Sequence, residues 1–216
     1  MIRIGVLASG SGSNLQALLD AAREGRIDGT VAAVVCNVPG ARALDRARAA
    51  GVAAELLPSK GVVDRQAYDR EVVARLVAHR VDLVCLAGWM RLVTPAFLES
   101  FAPDPRSRGC PRVMNVHPAL LPSFPGLHAQ RQALEYGVRF TGCTVHFVDA
   151  GTDTGPVIAQ AAVPVLQDDD EASLSARILV EEHRIYPLAV QWFAQGRLEL
   201  SGRRVVVRDA AVPGTG

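Results

Sequence analysis

Short apolar runs alternate with amphipathic segments of helical spacing through the first two thirds of this chain. The apolar runs have the length of buried strands, and the segments between them repeat their apolar residues as a helix that packs on a sheet does. Strands and helices that alternate in this way form parallel sheets with helical crossovers. The predicted elements, beginning with a strand, are residues 2–8, 14–23, 31–36, 41–50, 53–57, 65–79 and 83–87.

The last third of the chain indicates a sheet that is mixed at one end, because two long strand-like runs can pair with each other. Asp170 is positioned to cap a long helix, which Pro187 should kink. The predicted elements are a strand at 113–116, a helix at 129–136, strands at 141–148 and 157–165, a helix from 171 to 196, and a hairpin at 198–200 and 205–207. The expected fold is α/β: a Rossmann-like open, mostly parallel sheet, mixed at one end, with helices on both faces.

Length and composition favour one domain. A chain of 216 residues, of which 49% are hydrophobic, can bury one substantial core. We therefore expect a single domain over residues 1–209 and a frayed tail at 210–216. A net charge of +1 gives no field that attracts nucleic acid. Without a leader pattern or a long apolar run, we expect a cytoplasmic protein with no membrane partner.

The cysteines argue against a metal site or a disulfide framework. They are scattered without C-x-x-C spacing, at Cys36, Cys85, Cys110 and Cys143. Most lie in apolar strand-like runs, so we expect buried, reduced thiols. Residues 103–111, rich in proline and charge, predict a surface loop.

Asn115 and His117 form a polar pair at the end of an apolar strand pattern. Side chains alternate along a strand, so both project from the same face and can touch one substrate. Pro118 keeps His117 extended. With Asp153 downstream, the chain offers an amide, an imidazole and a carboxylate, which can stabilise an oxyanion and move a proton without a metal. Without the other two residues, His117 would be better explained as a core histidine bonded to backbone.

The loop after the first strand reads Ser9, Gly10, Ser11, Gly12, Ser13 and Asn14. At this position an open parallel sheet presents backbone N–H groups and a positive helix end, so a phosphate is the expected ligand. Leu15 replaces the third glycine of the dinucleotide fingerprint, and the lysine of a Walker loop is missing. From this segment alone, a flexible turn without a ligand is the alternative.

Several ordered motifs together carry a family resemblance. They are residues 10–18, Leu-Ala-Gly-Trp-Met-Arg-Leu at 86–92, Asn-Val-His-Pro at 115–118, Leu-Leu-Pro-Ser-Phe-Pro-Gly at 120–126, Asp-Thr-Gly-Pro at 153–156 and Glu-His-Arg-Ile-Tyr-Pro at 182–187. The chain resembles the phosphoribosylglycinamide formyltransferases, a folate-dependent formyltransferase family, over nearly its whole length. The resemblance implies transfer of a formyl group from 10-formyltetrahydrofolate, as co-substrate, to the amine of glycinamide ribonucleotide in purine synthesis.

The resemblance also implies that Asn115, His117 and Asp153 are catalytic. Asn115 and a protonated His117 would donate to the oxyanion that forms when the amine attacks the formyl carbon. Asp153 would keep His117 charged, because a nearby carboxylate raises the pKa of an imidazole, and would order a proton-carrying water. Asp149 is the nearest competitor, but no Gly-Pro pair follows it, so we interpret it as a loop residue.

Further residues match the substrate contacts of the family. Those of the ribonucleotide fall on Gly12, Ser13, Asn14 and Glu182. Those of the folate fall on Arg65, Met90, Arg91, Leu92 and, again, Asn115. On the sequence alone, Arg65 is equally a solvated arginine on a helix face, and Met90 a buried residue of a strand-end loop. We interpret His128, His146 and His183 as structural, and the resemblance suggests a cis bond between Leu121 and Pro122.

Three other kinds of protein compete with this interpretation. A methionyl-tRNA formyltransferase would carry an additional basic domain at its C-terminus, and a 10-formyltetrahydrofolate hydrolase would carry a regulatory domain ahead of the first strand. A non-catalytic phosphate-binding domain would explain the glycine-rich loop but not the convergence of Asn115, His117 and Asp153. The expected partners are therefore small-molecule substrates, without nucleic acid, bound by a monomer or a homodimer.

Overall fold

The computed structural model describes residues 1–105 and 107–208, so the predicted tail at 210–216 lies outside the described residues. Its strands are β1 (Ile2–Ala8), β2 (Gly29–Cys36), β3 (Ala53–Leu56), β4 (Leu83–Leu86), β5 (Val113–His117), β6 (Phe140–Phe147), β7 (Val157–Pro164), β8 (Leu198–Ser201) and β9 (Arg204–Val207). Its helices are α1 (Ser13–Arg23), α2 (Arg42–Ala49), α3 (Arg65–Ala78), α4 (Pro95–Ser100), α5 (Ala129–Tyr136) and α6 (Glu171–Ala194).

The larger sheet has the strand order β3-β2-β1-β4-β5-β6-β7. Its strands from β3 to β5 are parallel, whereas β6 and β7 are antiparallel to their neighbours, and β8 and β9 form a separate hairpin. Neighbouring residues of β1 belong to opposite faces: Val6 packs in a core with Leu18 and Ile178, and Leu7 in a core with Val72. Helices therefore cover both faces, and the predicted α/β fold is confirmed.

The predicted elements agree with the structure apart from small shifts of their ends and one missed helix. Helix α4 follows the predicted loop that ends strand β4, and the sequence carried a signal for it. Thr94 is its N-cap, with the Oγ1 atom accepting a hydrogen bond from the N–H of Phe97 at 3.3 Å, and Pro95 occupies the first turn. Helix α6 continues through Pro187, and Asp170 caps it as predicted.

Other sequence predictions concern single bonds and side chains. All four cysteines are buried and free, as predicted. The peptide bond between Leu121 and Pro122 is cis, as the resemblance suggested. The described residues of the segment 103–111 contain neither helix nor strand. Across residues 1–105 and 107–208, no helix combines the length and the apolar character that crossing a membrane would require.

Tyr186 ties helix α6 to the sheet at the strand ends that carry the candidate site. It is fully buried, and its hydroxyl donates a hydrogen bond shared between the carbonyl oxygens of Leu86, at 3.0 Å, and Met114, at 3.1 Å. Leu86 is the last residue of β4, and Met114 is the second residue of β5. Because hydrogen bonds that are shielded from water are costly to lose, this contact fixes the position of α6 against both strands.

The change Tyr186→Phe removes this donor and leaves both carbonyls in an apolar core. We expect the free energy of unfolding to fall by about 1 to 2 kcal/mol. Urea denaturation followed by circular dichroism measures the change, with Tyr136→Phe as the control because Tyr136 is 80% exposed. Equal stability of the two variants would contradict the anchoring role of the Tyr186 hydroxyl.

Candidate active site

The glycine-rich loop and the segment after β4 lie side by side at one edge of the parallel sheet. Strands β1 and β4 are neighbours, and both end at this edge. Ser9 joins the segments, because its N–H donates to the carbonyl oxygen of Gly88 at 3.0 Å and its Oγ atom accepts from the N–H of Met90 at 2.9 Å. In open α/β sheets, ligands bind in the crevice beyond the carboxyl ends of such strands. The predicted phosphate loop and folate segment therefore both lie where a ligand is expected.

The structure brings Asn115, His117 and Asp153 together. Asn115 and His117 end strand β5 on one face, as the alternation predicted. The Nδ2 atom of Asn115 lies 3.4 Å from Oδ1 of Asp153, and the Nδ1 atom of His117 lies 3.3 Å from Oδ2. The His117 and Asp153 side chains are 5% and 14% exposed, so the contact between them is shielded from water. The arrangement presents an amide donor and an imidazole beside one buried carboxylate.

The backbone around Asp153 is held in a conformation that few residues adopt. Asp153 has φ 54°, in the left-handed region. Two residues later, a Cβ atom on Gly155 would lie 1.7 Å from the carbonyl oxygen of Phe147, so only glycine fits there. The N–H of Gly126 donates to Oδ2 of Asp153 at 2.8 Å. The glycine of the Gly-Pro pair that distinguished Asp153 from Asp149 in the sequence thus has a steric reason.

Asp153 carries a negative charge in this environment. Burial raises the pKa of its carboxyl, but the nearby His146 ring, the hydrogen bond from the N–H of Gly126 and the His117 ring lower it by more. The net pKa of Asp153 is therefore below its usual range. A carboxylate at neutral pH is what a proton-relay role requires.

The prediction that Asp153 keeps His117 charged is wrong in its net effect. Burial lowers the pKa of His117, and His146 lowers it further; Asp153 and the Phe124 carbonyl raise it, but by less. The Nε2 atom of His117 donates to that carbonyl oxygen at 2.8 Å. The prediction rested on the carboxylate alone. The effect of desolvation on the pKa of His117 cannot be read from the local sequence.

His146 belongs to the cluster, although the sequence interpretation made it structural. Its Nε2 atom lies 3.2 Å from Nδ2 of Asn115 and 3.6 Å from Oδ1 of Asp153, and its Nδ1 donates to the carbonyl oxygen of Phe147 at 2.8 Å. With the proton on Nδ1, Nε2 accepts from the Asn115 amide. The signal was the pairing of β5 with β6, in which Asn115 stands opposite His146. A sequence does not reveal that register.

Gly12 gives the phosphate loop its shape. It precedes α1 with φ 70°, and a Cβ atom there would lie 2.8 Å from the Cα atom of Ala43. No side chain caps α1, so the N–H groups at its first turn, including those of Ser13 and Asn14, have no side-chain cap to compete with an anion. The guanidinium of Arg46 donates to the carbonyl oxygen of Ser11 at 2.9 Å and steadies the loop. These features favour a built anion site over a flexible turn.

Asn14 and Glu182 meet although they are far apart in the sequence. The Nδ2 atom of Asn14 donates to Oε2 of Glu182 at 2.6 Å, and both side chains are buried. Burial raises the pKa of Glu182 to about 7, and the hydrogen bond from Asn14 lowers it by less. Among the described residues, the Oδ1 atom of Asn14 is buried without a hydrogen-bond partner. A polar ligand in this half of the site would meet one unsatisfied acceptor and one carboxyl.

The predicted folate segment lines a shallow cavity of about 260 Å³, bounded by Val62, Arg65, Arg91 and Leu92. Arg65 is not a free helix-face arginine, because its guanidinium donates to the carbonyl oxygen of Leu92 at 2.8 Å. Arg91 stacks over the ring of Tyr68 at 4.4 Å. Met90 is 67% exposed, so its interpretation as a buried strand-end methionine is wrong.

The match to a family model covers residues 2–190, and the chain therefore belongs to the formyl transferase family. Phosphoribosylglycinamide formyltransferase from Escherichia coli (strain K12) is 47% identical over 92% of this chain and 90% of its own length. The crystal structure of glycinamide ribonucleotide transformylase 1 from Symbiobacterium toebii has a TM-score of 0.91 at 57% identity, covering 97% of this chain and 95% of that one. The resemblance drawn from the motifs is thereby confirmed.

A formyltetrahydrofolate deformylase from Pseudomonas syringae pv. tomato str. DC3000 shares the same fold. Its crystal structure has a TM-score of 0.86 at 25% identity, and the matched region is 96% of this chain but 66% of that one. The fold is therefore common to formyl transfer and to formyl hydrolysis. The much higher identity to the transformylases sets this chain beside them.

Glu182→Gln tests the burial of the carboxyl. The usual pKa of 4.5 rises to about 7 on folding. Between these values the unfolded chain has lost the proton and the folded protein keeps it, so the stability of the wild type falls as the pH rises and the loss is complete above the higher pKa. The variant should lack this fall and gain up to about 3 kcal/mol at alkaline pH.

Urea unfolding between about pH 4 and pH 9 measures the effect, because this range includes the pKa values of both the unfolded and the folded state. Glu181→Gln is the matched control, because Glu181 is adjacent on α6 and pairs with Arg184 at the surface. A Glu182→Gln variant whose stability runs parallel to that of the wild type over the whole range would contradict the raised pKa.

Proposed function

We propose that this chain transfers the formyl group of 10-formyltetrahydrofolate to the amine of glycinamide ribonucleotide, giving the N-formyl product and tetrahydrofolate. The observation that carries the proposal is the convergence of Asn115, His117 and Asp153 at the strand edge shared by the phosphate loop and the Met90 segment. The family of the chain and the names of its relatives support the same reaction.

The chemistry suits the three side chains. The amine forms a bond to the formyl carbon, the bond from that carbon to the folate nitrogen breaks, and one proton passes from the amine to that nitrogen. The Asn115 amide donates to the oxyanion of the tetrahedral intermediate, a contribution of about 3 kcal/mol for one such donor. The Asp153 carboxylate orders the water that relays the proton.

In the proposed reaction His117 becomes protonated because the oxyanion forms beside it, and not through Asp153 alone. Burial keeps the pKa of the ring low in the free protein. A negative oxyanion at hydrogen-bond distance raises an imidazole pKa, so His117 takes up the proton that leaves the amine through the ordered water and holds it while the oxyanion exists. The same proton passes to the folate nitrogen as the bond from the formyl carbon to that nitrogen breaks. The electrostatic stabilisation is then larger in the transition state than in the bound substrate, which is the condition for raising turnover.

The two substrates occupy opposite sides of this cluster in the proposal. The phosphate of the ribonucleotide binds the first N–H groups of α1 at Gly12, Ser13 and Asn14, and Glu182 binds the ribose. The exposed side chains of Met90 and Leu92 offer apolar surface to the pterin ring, and the backbone around Arg91 offers hydrogen bonds. Asn115 faces both substrates.

We further propose that Arg65 supports the folate side by holding the Leu92 carbonyl, to which it donates at 2.8 Å. A single formyltransferase domain over residues 1–209 is part of the same proposal. The cytoplasmic location and the choice between a monomer and a homodimer stay predictions, as does the absence of nucleic-acid and membrane partners.

An absorbance assay of folate distinguishes the candidate functions. The protein is incubated with 10-formyltetrahydrofolate, with and without glycinamide ribonucleotide. We expect loss of the formyl group only when the ribonucleotide is present. Loss without the ribonucleotide would establish the hydrolase, the reaction named for the Pseudomonas syringae relative. Ligand binding without any formyl loss would establish a non-catalytic binding domain.

Asp153→Asn tests the carboxylate itself. The amide keeps the size of the side chain but loses the charge, so we expect turnover to fall by on the order of a hundredfold or more with near-normal folding. Asp149→Asn is the matched control, because the amide oxygen still accepts from the N–H of Gly151 and from the Thr154 hydroxyl. Full activity of Asp153→Asn would remove Asp153 from the mechanism.

A further inference from the structure

The hydroxyl of Thr144 is a buried hub outside the predicted site. Thr144 is fully buried, and its Oγ1 atom donates to the carbonyl oxygen of Ala119 at 2.7 Å. The same oxygen accepts from the N–H of Leu121 at 3.0 Å and from Nε2 of Gln160 at 3.0 Å. One donor and two acceptor positions are all that a hydroxyl possesses, so this one is saturated.

This hub lies next to strand β5, which carries Asn115 and His117. In the antiparallel pairing of β5 with β6, Thr144 stands directly opposite His117, and in the pairing of β6 with β7, Gln160 stands opposite Thr144. Directly opposite residues share a face of the sheet. Gln160 also donates to the carbonyl oxygen of Leu121 at 2.9 Å, so strands β6 and β7 hold the same short stretch of backbone.

This stretch begins the loop that supports the catalytic residues. A few residues beyond Leu121, the carbonyl oxygen of Phe124 accepts from Nε2 of His117 at 2.8 Å. Two residues later, the N–H of Gly126 donates to Oδ2 of Asp153 at 2.8 Å. A shift at the start of the loop would be passed on to both contacts.

We propose that Thr144 is a positioning residue for formyl transfer, which fixes the Ala119–Leu121 backbone so that the following loop contacts His117 through Phe124 and Asp153 through Gly126. Thr144 itself touches neither His117 nor Asp153 through any of its three hydrogen bonds, so its effect passes through the loop. This inference rests on the proposed function for its kinetic consequence but not for its structural one.

The chain offers a matched control on the same strand. Thr141 is 1% exposed, and within the described part of the chain its Oγ1 atom has no hydrogen-bond partner. The change Thr→Val replaces the hydroxyl by a methyl group at either position. At Thr144 it removes three hydrogen bonds, whereas at Thr141 it removes none, so the comparison isolates the hub from the general effect of altering a buried threonine.

The experiment compares Thr144→Val, Thr144→Ser and Thr141→Val with the wild type. At temperatures well below unfolding, we expect Thr144→Val to lower kcat about tenfold, with the KM of each substrate within about twofold, because misplaced catalytic groups weaken the transition state more than binding. Thr144→Ser keeps the hydroxyl and should recover most of this loss. Thr141→Val should leave kcat unchanged.

A second readout needs no substrate. Hydrogen exchange of the Gly126 amide, measured by NMR against the core amides of β1, should rise about tenfold in Thr144→Val and not in Thr141→Val, because the exchange reports local opening. If wild-type protein shows no ribonucleotide-dependent formyl loss, the proposed function fails and the Gly126 amide alone decides the positioning role.

Each outcome either supports or overturns the proposal. Equal kcat for Thr144→Val and Thr141→Val, or unchanged exchange of the Gly126 amide in Thr144→Val, overturns the proposal. If Thr144→Val does not fold, Gln160→Leu takes its place, because it removes the second support of the Leu121 backbone from an exposed position. Faster exchange of the Gly126 amide in that variant supports the proposal, and unchanged exchange overturns it.

Discussion

The arrangement of the site depends on the contacts of the Asp153 carboxylate, which is largely shielded from water. It lies within 3.3 to 3.6 Å of His117, Asn115 and His146, and accepts from the N–H of Gly126 at 2.8 Å. A carboxylate taken out of water is stable only when its oxygens are satisfied. Its partners come from β5, β6 and the loop after β5, so every one of these elements must be in place before the charge can be buried.

The topology explains how two substrates would meet at this carboxylate in the proposed reaction. Parallel strands β1, β4 and β5 end at one edge of the sheet. There β1 passes into the glycine-rich loop, β4 into the Met90 segment, and β5 into the loop from Pro118 to Gly126. The antiparallel strand β6 then adds His146 and Thr144 from the other side of β5. In a wholly parallel sheet the strand beside β5 would run in the opposite direction, and different residues of it would lie beside Asn115 and His117.

Much of this could be predicted from the sequence, because the features involved are local. Apolar periodicity locates the strands and helices, and alternation along β5 correctly places Asn115 and His117 on one face. The errors arise where distant residues decide. The low pKa of His117 follows from burial by the whole fold, and the place of His146 follows from the register of β6 on β5. The missed helix α4 is a different case, because Thr94 and Pro95 are local sequence signals for its N-terminus.

The hydrogen bonds within the cluster are longer than those that support it. Asn115 lies 3.4 Å from Asp153 and 3.2 Å from His146, whereas the supporting contacts made by the Phe124 carbonyl and the Gly126 amide are 2.8 Å each. Long hydrogen bonds are weak, so redirecting the Asn115 amide toward a substrate oxygen costs little. The short supporting bonds stay in place while this happens. In the proposed reaction, the contacts that set the geometry are thus the short ones, and the contacts that must yield to the oxyanion are the long ones.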